Sequence, residues 1–464
     1  MSHFQFAVIG AGPAGQKAAI QAAKAGVSVV MIERGRRVGG DCVHRGTIPS
    51  KALRETALQL SNARHTVAEV HLPDHTPLHA LLNRVDQIID DHVQVYTDQL
   101  ERNGVTLLKG HGQFTGPHTM MVQPVRGDPF EITADHFVIA TGSKPRKPAE
   151  IPVDHEYIVD SDSVLSLPWL PRSLLVLGGG VIACEYATTF KELGVRVTIV
   201  DSAPRPLGFM DADLTDCLLQ RFNTDGCKHI SNDSVASIEA IPGTGVRTIL
   251  KSGMCLETDK VLVALGRVAN VDKLGVELLG LELSARRQLA VDEHFRTAIP
   301  HIYAVGDVIG FPALAATSME QGRQAARHAL GLETARPLHG YPIGIYTIPA
   351  MASVGLTEVE ALSEFGAVRV GRCRFDEVAR GKITGHRGGL LKLISDVDGT
   401  RILGVHIVGE DATELVHIGQ MAMLGGLSPS TFVDNVFNFP THAEAYRIAA
   451  FDLMSQGAVI LKAA

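Results

Sequence analysis

Short apolar runs alternate along the chain with longer stretches in which apolar and polar residues mix at helical spacing. Residues 4–9 form an apolar run that leads into the glycine-rich segment 10–15, and a helical stretch to Ala25 follows. A second apolar run, residues 27–32, ends at Glu33. This order predicts a strand, a tight turn, a helix and a second strand, which is how a parallel α/β sheet begins.

The same order of elements recurs 168 residues later. An apolar run at 174–177 leads into a second glycine-rich turn, and the run 195–200 ends at Asp201. The small residues of the two turns occupy matching positions: Gly10, Gly12 and Gly15 in the first copy, and Gly178, Gly180 and Ala183 in the second. One such turn is weak evidence in a glycine-rich chain. Two copies in the same register, with their flanking strands and acids, are much harder to obtain by chance.

Each position of this motif has a physical role in binding a dinucleotide. The first glycine permits the tight turn, the second lets the backbone approach a pyrophosphate, and the third small residue lets the helix pack against the strand. The phosphate lies at the helix N-terminus. Glu33 and Asp201 would accept hydrogen bonds from ribose hydroxyls. Two sites imply electron transfer between two cofactors, either FAD and a nicotinamide nucleotide or a nucleotide and a bound flavin substrate.

Composition narrows the class of protein further. The chain has 464 residues, of which 45% are hydrophobic and 20% charged, and its net charge of −7 makes nucleic acid an unsuitable partner. Six scattered cysteines form no C-x-x-C pair and no metal-ligand spacing, which indicates a reduced protein without a metal site. The apolar runs are shorter than a membrane span needs, and the pattern starts at Phe4, which leaves no room for a targeting peptide. We expect a soluble cytoplasmic enzyme.

Five further segments resemble the pyridine nucleotide–disulfide oxidoreductases, the flavoprotein family of lipoamide dehydrogenase and glutathione reductase. They are residues 39–51 (GGDCVHRGTIPSK), 140–142 (ATG), the second dinucleotide turn, 264–267 (ALGR) and 303–307 (YAVGD). The resemblance implies FAD binding by Gly10, Gly12, Gly15, Glu33, Arg34, Gly40, Lys51, Thr141, Gly142 and Asp307. It implies binding of NAD(H) or NADP(H) by Gly178, Gly180, Ala183, Glu185, Asp201, Arg205, Gly266 and Arg267.

The resemblance also implies the domain order. The fold class is α/β, with two Rossmann-like dinucleotide-binding domains and an α+β C-terminal dimerisation domain. The FAD-binding domain would comprise residues 1–145 and 268–338, with the NAD(P)-binding domain, residues 146–267, inserted between them. Residues 339–464 would form the interface of a homodimer or a larger homo-oligomer. Pro337 and residues 340–342 are suitable linker punctuation.

The chain departs from the disulfide reductases at two places. The family's redox pair is C-x-x-x-x-C, but here Cys42 is followed by Thr47, whose hydroxyl cannot form a disulfide. The family's C-terminal acid–base histidine is replaced by Phe439, and His442, three positions later, is expected to be a surface or packing residue. Cys42 on its own is expected to be a small packing residue. Disulfide reduction therefore lacks both its redox pair and its base.

These departures make the chain similar to the soluble Si-specific pyridine nucleotide transhydrogenases, a subfamily of the same flavoproteins. The matching segments are residues 42–54, 344–349, 417–420 and 439–447. This similarity implies ping-pong hydride transfer from NADPH through FAD to NAD+, with both nucleotides using one site. Lys51 would lie against the flavin with Glu185 as its ion-pair partner, and Cys42 and Thr47 complete the set of catalytic candidates.

One position opposes the use of NADPH. A 2′-phosphate requires a nearby cation, whereas Asp201 favours a free 2′-hydroxyl, and the nearby cation in this loop is Arg205. An NADH-preferring diaphorase or quinone reductase is therefore a second hypothesis. A non-enzymatic flavin redox sensor is a third, and disulfide reduction is a weaker fourth.

Overall fold

The structure is a computed structural model that describes residues 2–66, 72–73, 75–334, 340–385 and 388–460. Pro337 and the predicted boundary between 338 and 339 lie outside the described residues. Six strands and five helices form the first part of the chain: β1 (Ser2–Ile9), β2 (Val29–Glu33), β3 (Thr106–Gly116), β4 (Thr119–Pro124), β5 (Phe130–Ile139) and β6 (Ser143–Pro145), with α1 (Pro13–Lys24), α2 (Gly40–His44), α3 (Thr47–Thr66), α4 (Leu78–Leu81) and α5 (Val85–Arg102).

The centre of the first sheet is parallel and fully buried. Strand β1 pairs in parallel with both β2 and β5, and Phe6 lies opposite Val29 on one side and His136 on the other. The buried residues of β1 and β2 are almost all apolar, as expected for strands that are covered on both faces. Strand β2 begins at Val29, two residues later than the apolar run, and Gly26, with φ of +86°, lies in the turn that precedes it.

The next part of the chain contains the elements β7 (Ile158–Asp160), β8 (Ser173–Leu177), α6 (Val181–Glu192), β9 (Arg196–Val200), α7 (Ala212–Asp225), β10 (Lys228–Ile230), β11 (Val235–Ile241), β12 (Gly245–Leu250), β13 (Cys255–Thr258), β14 (Lys260–Val263) and β15 (Arg267–Ala269). They include a second parallel sheet, with strand order β10-β9-β8-β14-β7, and a three-stranded antiparallel sheet of β11 to β13. The second sheet repeats the strand–turn–helix–strand order of the first.

The chain then returns to the first sheet. Strand β15 pairs with β6 in antiparallel fashion, with Arg267 opposite Pro145, and β16 (Ile302–Ala304) adds a parallel strand beside β5. Helix α8 (Ala315–Ala329) packs so closely on α1 that a Cβ atom at Gly322 would lie 2.1 Å from the carbonyl oxygen of Ala14. Residues distant in sequence therefore complete the first nucleotide fold.

The C-terminal part is a six-stranded sheet whose strands all pair in antiparallel fashion, with helices packed on it. Its elements are β17 (Ile343–Ile345), β18 (Ala350–Gly355), α9 (Glu358–Phe365), β19 (Ala367–Arg374), α10 (Ala379–Thr384), β20 (Leu390–Asp396), β21 (Ile402–Gly409), α11 (Ala412–Leu424), α12 (Ser430–Asp434), α13 (Glu444–Ser455) and β22 (Val459–Ile460). The predicted fold class, α/β with an α+β C-terminal unit, is confirmed.

A buried lysine joins the second sheet's helix α7 to this C-terminal sheet. Lys392 Nζ, on β20, lies 2.8 Å from Asp211 Oδ1, 2.9 Å from Asp213 Oδ2 and 2.7 Å from Glu358 Oε2, and its side chain is 2% exposed. Arg372 contacts the same Asp213 and Glu358 carboxylates. Asp211 is also the N-cap of α7, where its side chain accepts from the Asp213 N–H. This Lys392 cluster fixes the beginning of α7 against the C-terminal sheet.

Candidate functional site

The first glycine-rich turn is held open by close backbone contacts. Gly10 has φ of +103°, and a Cβ atom there would lie 2.4 Å from the carbonyl oxygen of Ala140. A Cβ at Gly15 would lie 1.9 Å from the Gly10 carbonyl oxygen, and one at Gly40 would lie 2.9 Å from the Gly12 Cα. Gly12 is the N-cap of α1 and carries no side chain over that helix end. The result is a shallow backbone cradle at a helix N-terminus, the ordinary binding place of a pyrophosphate.

The second turn has the same geometry. Gly178 has φ of +108°, and a Cβ there would lie 2.6 Å from the carbonyl oxygen of Ala264. Gly180 is the exposed N-cap of α6, and Ala183 is fully buried where that helix packs on β8. The structure therefore builds two matching turns from the two sequence copies.

The two acids that end the second strand of each copy differ in their surroundings. Glu33 is 8% exposed, and its two carboxylate oxygens accept from the N–H groups of Ala11 and Gly35, both at 2.6 Å. Asp201 is half-buried and accepts from the Ala203 N–H at 3.3 Å. Its carboxylate packs against the second turn, since a Cβ at Gly179 would lie 2.0 Å from Asp201 Oδ2. Both acids therefore lie beside their glycine-rich turns, as the motif predicts.

A hydrogen-bonded chain links the two nucleotide folds where the polypeptide crosses between them. Arg267 Nε donates to Ser143 Oγ at 2.7 Å, and Ser143 Oγ donates to Asp307 Oδ2 at 2.7 Å. The preceding Gly142, with φ of +72°, accepts from the Asn270 N–H through its carbonyl oxygen. Asp307 is the second residue of a short 3-10 helix, Gly306–Ile309. The predicted residues Asp307, Gly142 and Arg267 are thus brought together by Ser143, which sequence reasoning missed.

Lys51 and Glu185 meet from helices α3 and α6. Lys51 Nζ lies 2.5 Å from Glu185 Oε2, and the two side chains are 27% and 12% exposed. Glu185 Oε1 accepts from the Tyr346 N–H at 2.8 Å, and the Tyr346 ring lies 4.9 Å from Lys51 Nζ, a cation–π contact. The predicted pairing of Lys51 with Glu185 is present in the structure, and Tyr346 is its third member.

Tyr346 belongs to the C-terminal part of the chain, and the two residues that follow it also contact α3 and α6. Arg54 donates to the Thr347 carbonyl oxygen through Nε at 3.2 Å and through Nη2 at 3.1 Å. The Ile348 N–H donates to Thr188 Oγ1 on α6 at 3.1 Å. Burial lowers the pKa of the Arg54 guanidinium, and the charge of Glu185 acts in the opposite direction. The segment after β17 therefore ties α3 and α6 together around the ion pair.

Cys42 lies on α2, and Thr47 begins α3. Burial raises the pKa of the Cys42 thiol, although a side-chain hydrogen bond with Thr47 partly offsets that effect. All six cysteines are free. The thiol is consequently protonated near neutral pH, and its neighbour is a hydroxyl that cannot form a disulfide with it.

The C-terminal stretch also departs from a thiol-reducing site. Phe439 is 71% exposed, so an exposed apolar ring occupies the acid–base position. His442 is 3% exposed and stacks on the Phe375 ring with 4.8 Å between ring centroids. His442 thus packs in the interior, one of the two placements expected for it.

Three more predicted residues lie at the edges of these arrangements. Arg205 is bound to the first turns of α7, with Nη1 donating to Thr215 Oγ1 at 2.6 Å and Nη2 lying 2.8 Å from Asp216 Oδ1. Arg34 is exposed and lies 3.5 Å from Asn270 Oδ1. Gly266 is exposed with φ of +95° and immediately precedes Arg267.

The first site fits FAD. Thr141 Oγ1 is buried and has no hydrogen-bond partner among the described residues, which leaves a polar atom for a ligand to satisfy. The cradle at Gly10, Gly12 and Gly40 would be filled by any side chain added there. Together with Glu33 and Asp307, these residues offer donors and acceptors along one path from a glycine-rich turn to the crossing between the two folds.

Comparison with known proteins identifies the class. The profile of the pyridine nucleotide-disulphide oxidoreductases matches residues 4–322, and the dimerisation domain of the same family matches residues 341–450. The chain therefore belongs to the pyridine nucleotide-disulphide oxidoreductase family, whose cofactors are FAD and pyridine nucleotides, as the sequence predicts. Within the described residues, none of the helices combines the length and apolar character that crossing a bilayer requires.

Two curated relatives carry a more specific name. The chain is 44% identical over 460 residues to a soluble pyridine nucleotide transhydrogenase of Mycobacterium bovis, and the alignment covers 98% of each protein. It is 42% identical over 453 residues to a protein of the same name from Chromohalobacter salexigens, with 97% of each covered. The subfamily inferred from residues 42–54 and 439–447 is the one to which these relatives are assigned.

Solved structures agree on the fold. The chain matches LpdA from Mycobacterium tuberculosis with a TM-score of 0.89 and 28% identity, covering 98% of this chain and 100% of that one. It matches the Cu(II) complex of the HOCl-induced flavoprotein disulfide reductase RclA from Escherichia coli with a TM-score of 0.87 and 27% identity, covering 97% and 99%.

Proposed function

We propose that this protein is an FAD-dependent transhydrogenase that transfers a hydride between NADPH and NAD+. One observation carries the proposal: both nucleotide turns and the Lys51–Glu185 pair are intact, while a hydroxyl, Thr47, takes the place of the second redox cysteine. Hydride transfer between two stacked rings needs orientation and exclusion of water rather than a thiol. The curated relatives bear the name of this activity.

The chain's own residues would act by binding and positioning. Gly10, Gly12, Gly15 and Gly40 would receive the FAD pyrophosphate, and Glu33 its adenosine ribose. Thr141, Gly142 and Asp307 would hold the flavin end, with Arg34 at the edge of the site. The bound FAD supplies a group that accepts a hydride from one nucleotide and donates it to the next.

The second site would receive each nicotinamide nucleotide in turn. Gly178, Gly180 and Ala183 would form its pyrophosphate cradle, Asp201 and Arg205 its ribose end, and Gly266 and Arg267 the side facing the crossing. Because Glu185 holds Lys51 through one oxygen and the Tyr346 N–H through the other, it fixes the direction of the ammonium group. We infer that Lys51 places positive charge beside the flavin, where negative charge develops on reduction. Cys42 and Thr47 would lie on the same side of the flavin as Lys51.

The test is reduction of the purified yellow protein under anaerobic conditions. NADPH and NADH are added to separate samples, bleaching of the visible flavin band is followed, and each sample then receives the other oxidised nucleotide. Transhydrogenation requires bleaching by both donors and rapid return of colour in both cases. Bleaching by NADH alone would exclude it. A parallel assay with lipoamide and glutathione disulfide should show no turnover.

A second candidate function is that of an NADH-preferring diaphorase or quinone reductase. The observation that favours it is the engagement of the Arg205 guanidinium by residues of α7, which leaves Asp201 as the charged group beside the second turn among the described residues of that loop. This candidate predicts bleaching by NADH, turnover with a quinone, and little response to NADPH.

The remaining expectations concern organisation. We propose the domain division 1–145, 146–267, 268–338 and 339–464, and a cytoplasmic location. The matching dimerisation domain indicates a homodimer. Exposed apolar side chains of the C-terminal part, Val436 at 92% and Met421 at 63%, provide surface for that association.

A further inference from the structure

The loop that follows Asp201 is anchored at both ends to the second glycine-rich turn. At its beginning, the Asp201 carboxylate packs against Gly179, and at its end the Leu207 N–H donates to the Gly179 carbonyl oxygen at 2.9 Å. The Ala203 N–H, which donates to Asp201 Oδ1, curls the loop between these anchors. Arg205 therefore lies on the rim of the proposed nucleotide site.

The guanidinium of Arg205 is engaged on helix α7. Its Nη1 donates to the Ala212 carbonyl oxygen at 2.9 Å and to Thr215 Oγ1 at 2.6 Å, while Nη2 lies 2.8 Å from Asp216 Oδ1. No hydrogen bond or ion pair joins Arg205 to Asp201 within the residues that the structure describes. The one cation of the loop is thus occupied by a carboxylate of another element.

We propose that Asp216 is a specificity-determining residue, because it competes with the 2′-phosphate of NADP(H) for the guanidinium of Arg205. The inference rests on the proposed function, since it concerns which nucleotides the second site accepts. With NAD(H) bound, Arg205 stays on Asp216 and Asp201 accepts from the ribose hydroxyls. With NADP(H) bound, Arg205 leaves Asp216 and pairs with the phosphate, which offsets the repulsion from Asp201.

The Arg205–Asp216 ion pair is exposed enough to the solvent that Arg205 can leave it for a phosphate. The side chains of Arg205 and Asp216 are 36% and 53% exposed, and exposed ion pairs are weak and screened by water. Helix α7 itself stays in place, because Asp211 at its N-cap is held by the buried Lys392. The moving part is then one arginine side chain, and Asp216 is a positioning residue that acts through it.

The experiment measures binding of two redox-inert fragments to the FAD-loaded protein. Adenosine 2′,5′-bisphosphate reports the 2′-phosphate, and 5′-AMP reports the rest of the adenosine site. In Asp216→Asn the bisphosphate should bind about two- to fivefold more tightly, the range of an exposed ion pair, with 5′-AMP unchanged. The matched control is Asp225→Asn, which removes one of the two carboxylate partners of Arg221 at the other end of the same helix and should alter neither affinity.

Arg205→Ala completes the test as a double-mutant cycle. This change should weaken the bisphosphate and not 5′-AMP, and Asp216→Asn should have no further effect in its presence. The proposal is overturned if Asp216→Asn leaves the ratio of the two affinities unchanged, or if its gain persists without Arg205. Fragment binding involves no hydride transfer, so this result is independent of the bleaching assay that tests the proposed function.

Discussion

Replacing Lys392 by methionine tests how firmly the second nucleotide fold is held. The substitution keeps the volume of the side chain and removes a charge that contacts three carboxylates. Asp213 and Glu358 retain Arg372 and are 29% and 23% exposed, so water and the arginine can compensate them. Asp211 is 2% exposed and is left without its cation.

The magnitude follows from that single carboxylate. Removing one partner of a buried ion pair costs about 3–5 kcal/mol. Asp211 keeps two backbone donors, the Asp213 N–H at 3.1 Å and the Glu358 N–H at 3.1 Å, so we expect the lower end, about 3 kcal/mol. This corresponds to about a hundredfold increase in the population of locally opened protein.

Amide hydrogen exchange of the FAD-loaded protein measures this opening locally. Peptides from α7 and β20 should exchange about a hundredfold faster in Lys392→Met, while peptides from β1 and β2 should be unchanged. Lys260→Met is the control, since Lys260 is a buried lysine that stacks on Tyr157, 4.1 Å from its ring, in another part of the fold. The penalty should shrink as pH falls, because the unpaired Asp211 carboxyl takes up a proton more readily than the paired one, whose pKa is held below its usual value. An acceleration below about threefold, or one spread evenly over the molecule, would refute the reasoning.

Three further predictions are smaller in scope. Gly178→Ala should abolish flavin reduction by both nucleotides while the FAD absorbance is retained. The reason is that Gly178 has φ of +108° and that the new Cβ would lie 2.6 Å from the carbonyl oxygen of Ala264. Loss of FAD instead would contradict the assignment of the two turns. Lys51→Met should shift the flavin midpoint potential by about 30–60 mV to more negative values, which corresponds to the loss of a charge-assisted contact of about 1.5–3 kcal/mol. Lys51→Arg keeps the charge and should shift the potential little. An unchanged potential in the methionine variant would place Lys51 away from the flavin. Burial favours the neutral acid of Asp213, but hydrogen bonds from Lys392 and Arg372 outweigh burial and hold its pKa below the usual value, so its contribution is present above about pH 4 and is lost as pH falls through the lowered pKa. A thermal-unfolding series at falling pH should therefore show a smaller loss in Lys392→Met than in the natural protein.

Much of the fold could be predicted because the determining residues are local. The glycine turns, their helices and the terminal acids lie within about one supersecondary unit, and a repeat in register makes the motif specific. The Lys51–Glu185 pair, whose members are 134 positions apart in the sequence, could be predicted only from the resemblance to a family. The physical chemistry of either residue alone predicts a solvated helix charge.

The residues that the sequence did not predict contact partners that are far away in the chain. Tyr346 reaches Glu185 across 161 residues, and Lys392 reaches Asp211 across 181 residues, so no spacing rule connects them. Lys392 interrupts the apolar strand β20, which is a sign of a buried charge, but the pattern does not say which carboxylates compensate it. Arg205 shows that nearness in sequence can also mislead. It lies four positions after Asp201, which suggested that both would face the nucleotide, but in the structure its guanidinium contacts α7.

The pairing of β6 with β15 has a consequence for how this molecule can be altered. The polypeptide leaves the first sheet through Ser143–Pro145 and returns through Arg267–Ala269, and these two strands lie side by side. The two ends of the intervening segment are therefore adjacent, as in tolerated domain insertions. The intervening 121 residues, 146–266, form one continuous insertion, and two of them, Glu185 and Asp211, contact Lys51 and Lys392 outside it. Exchanging this insertion for the equivalent piece of a relative would therefore also have to preserve Glu185 as the partner of Lys51 and Asp211 as the partner of Lys392.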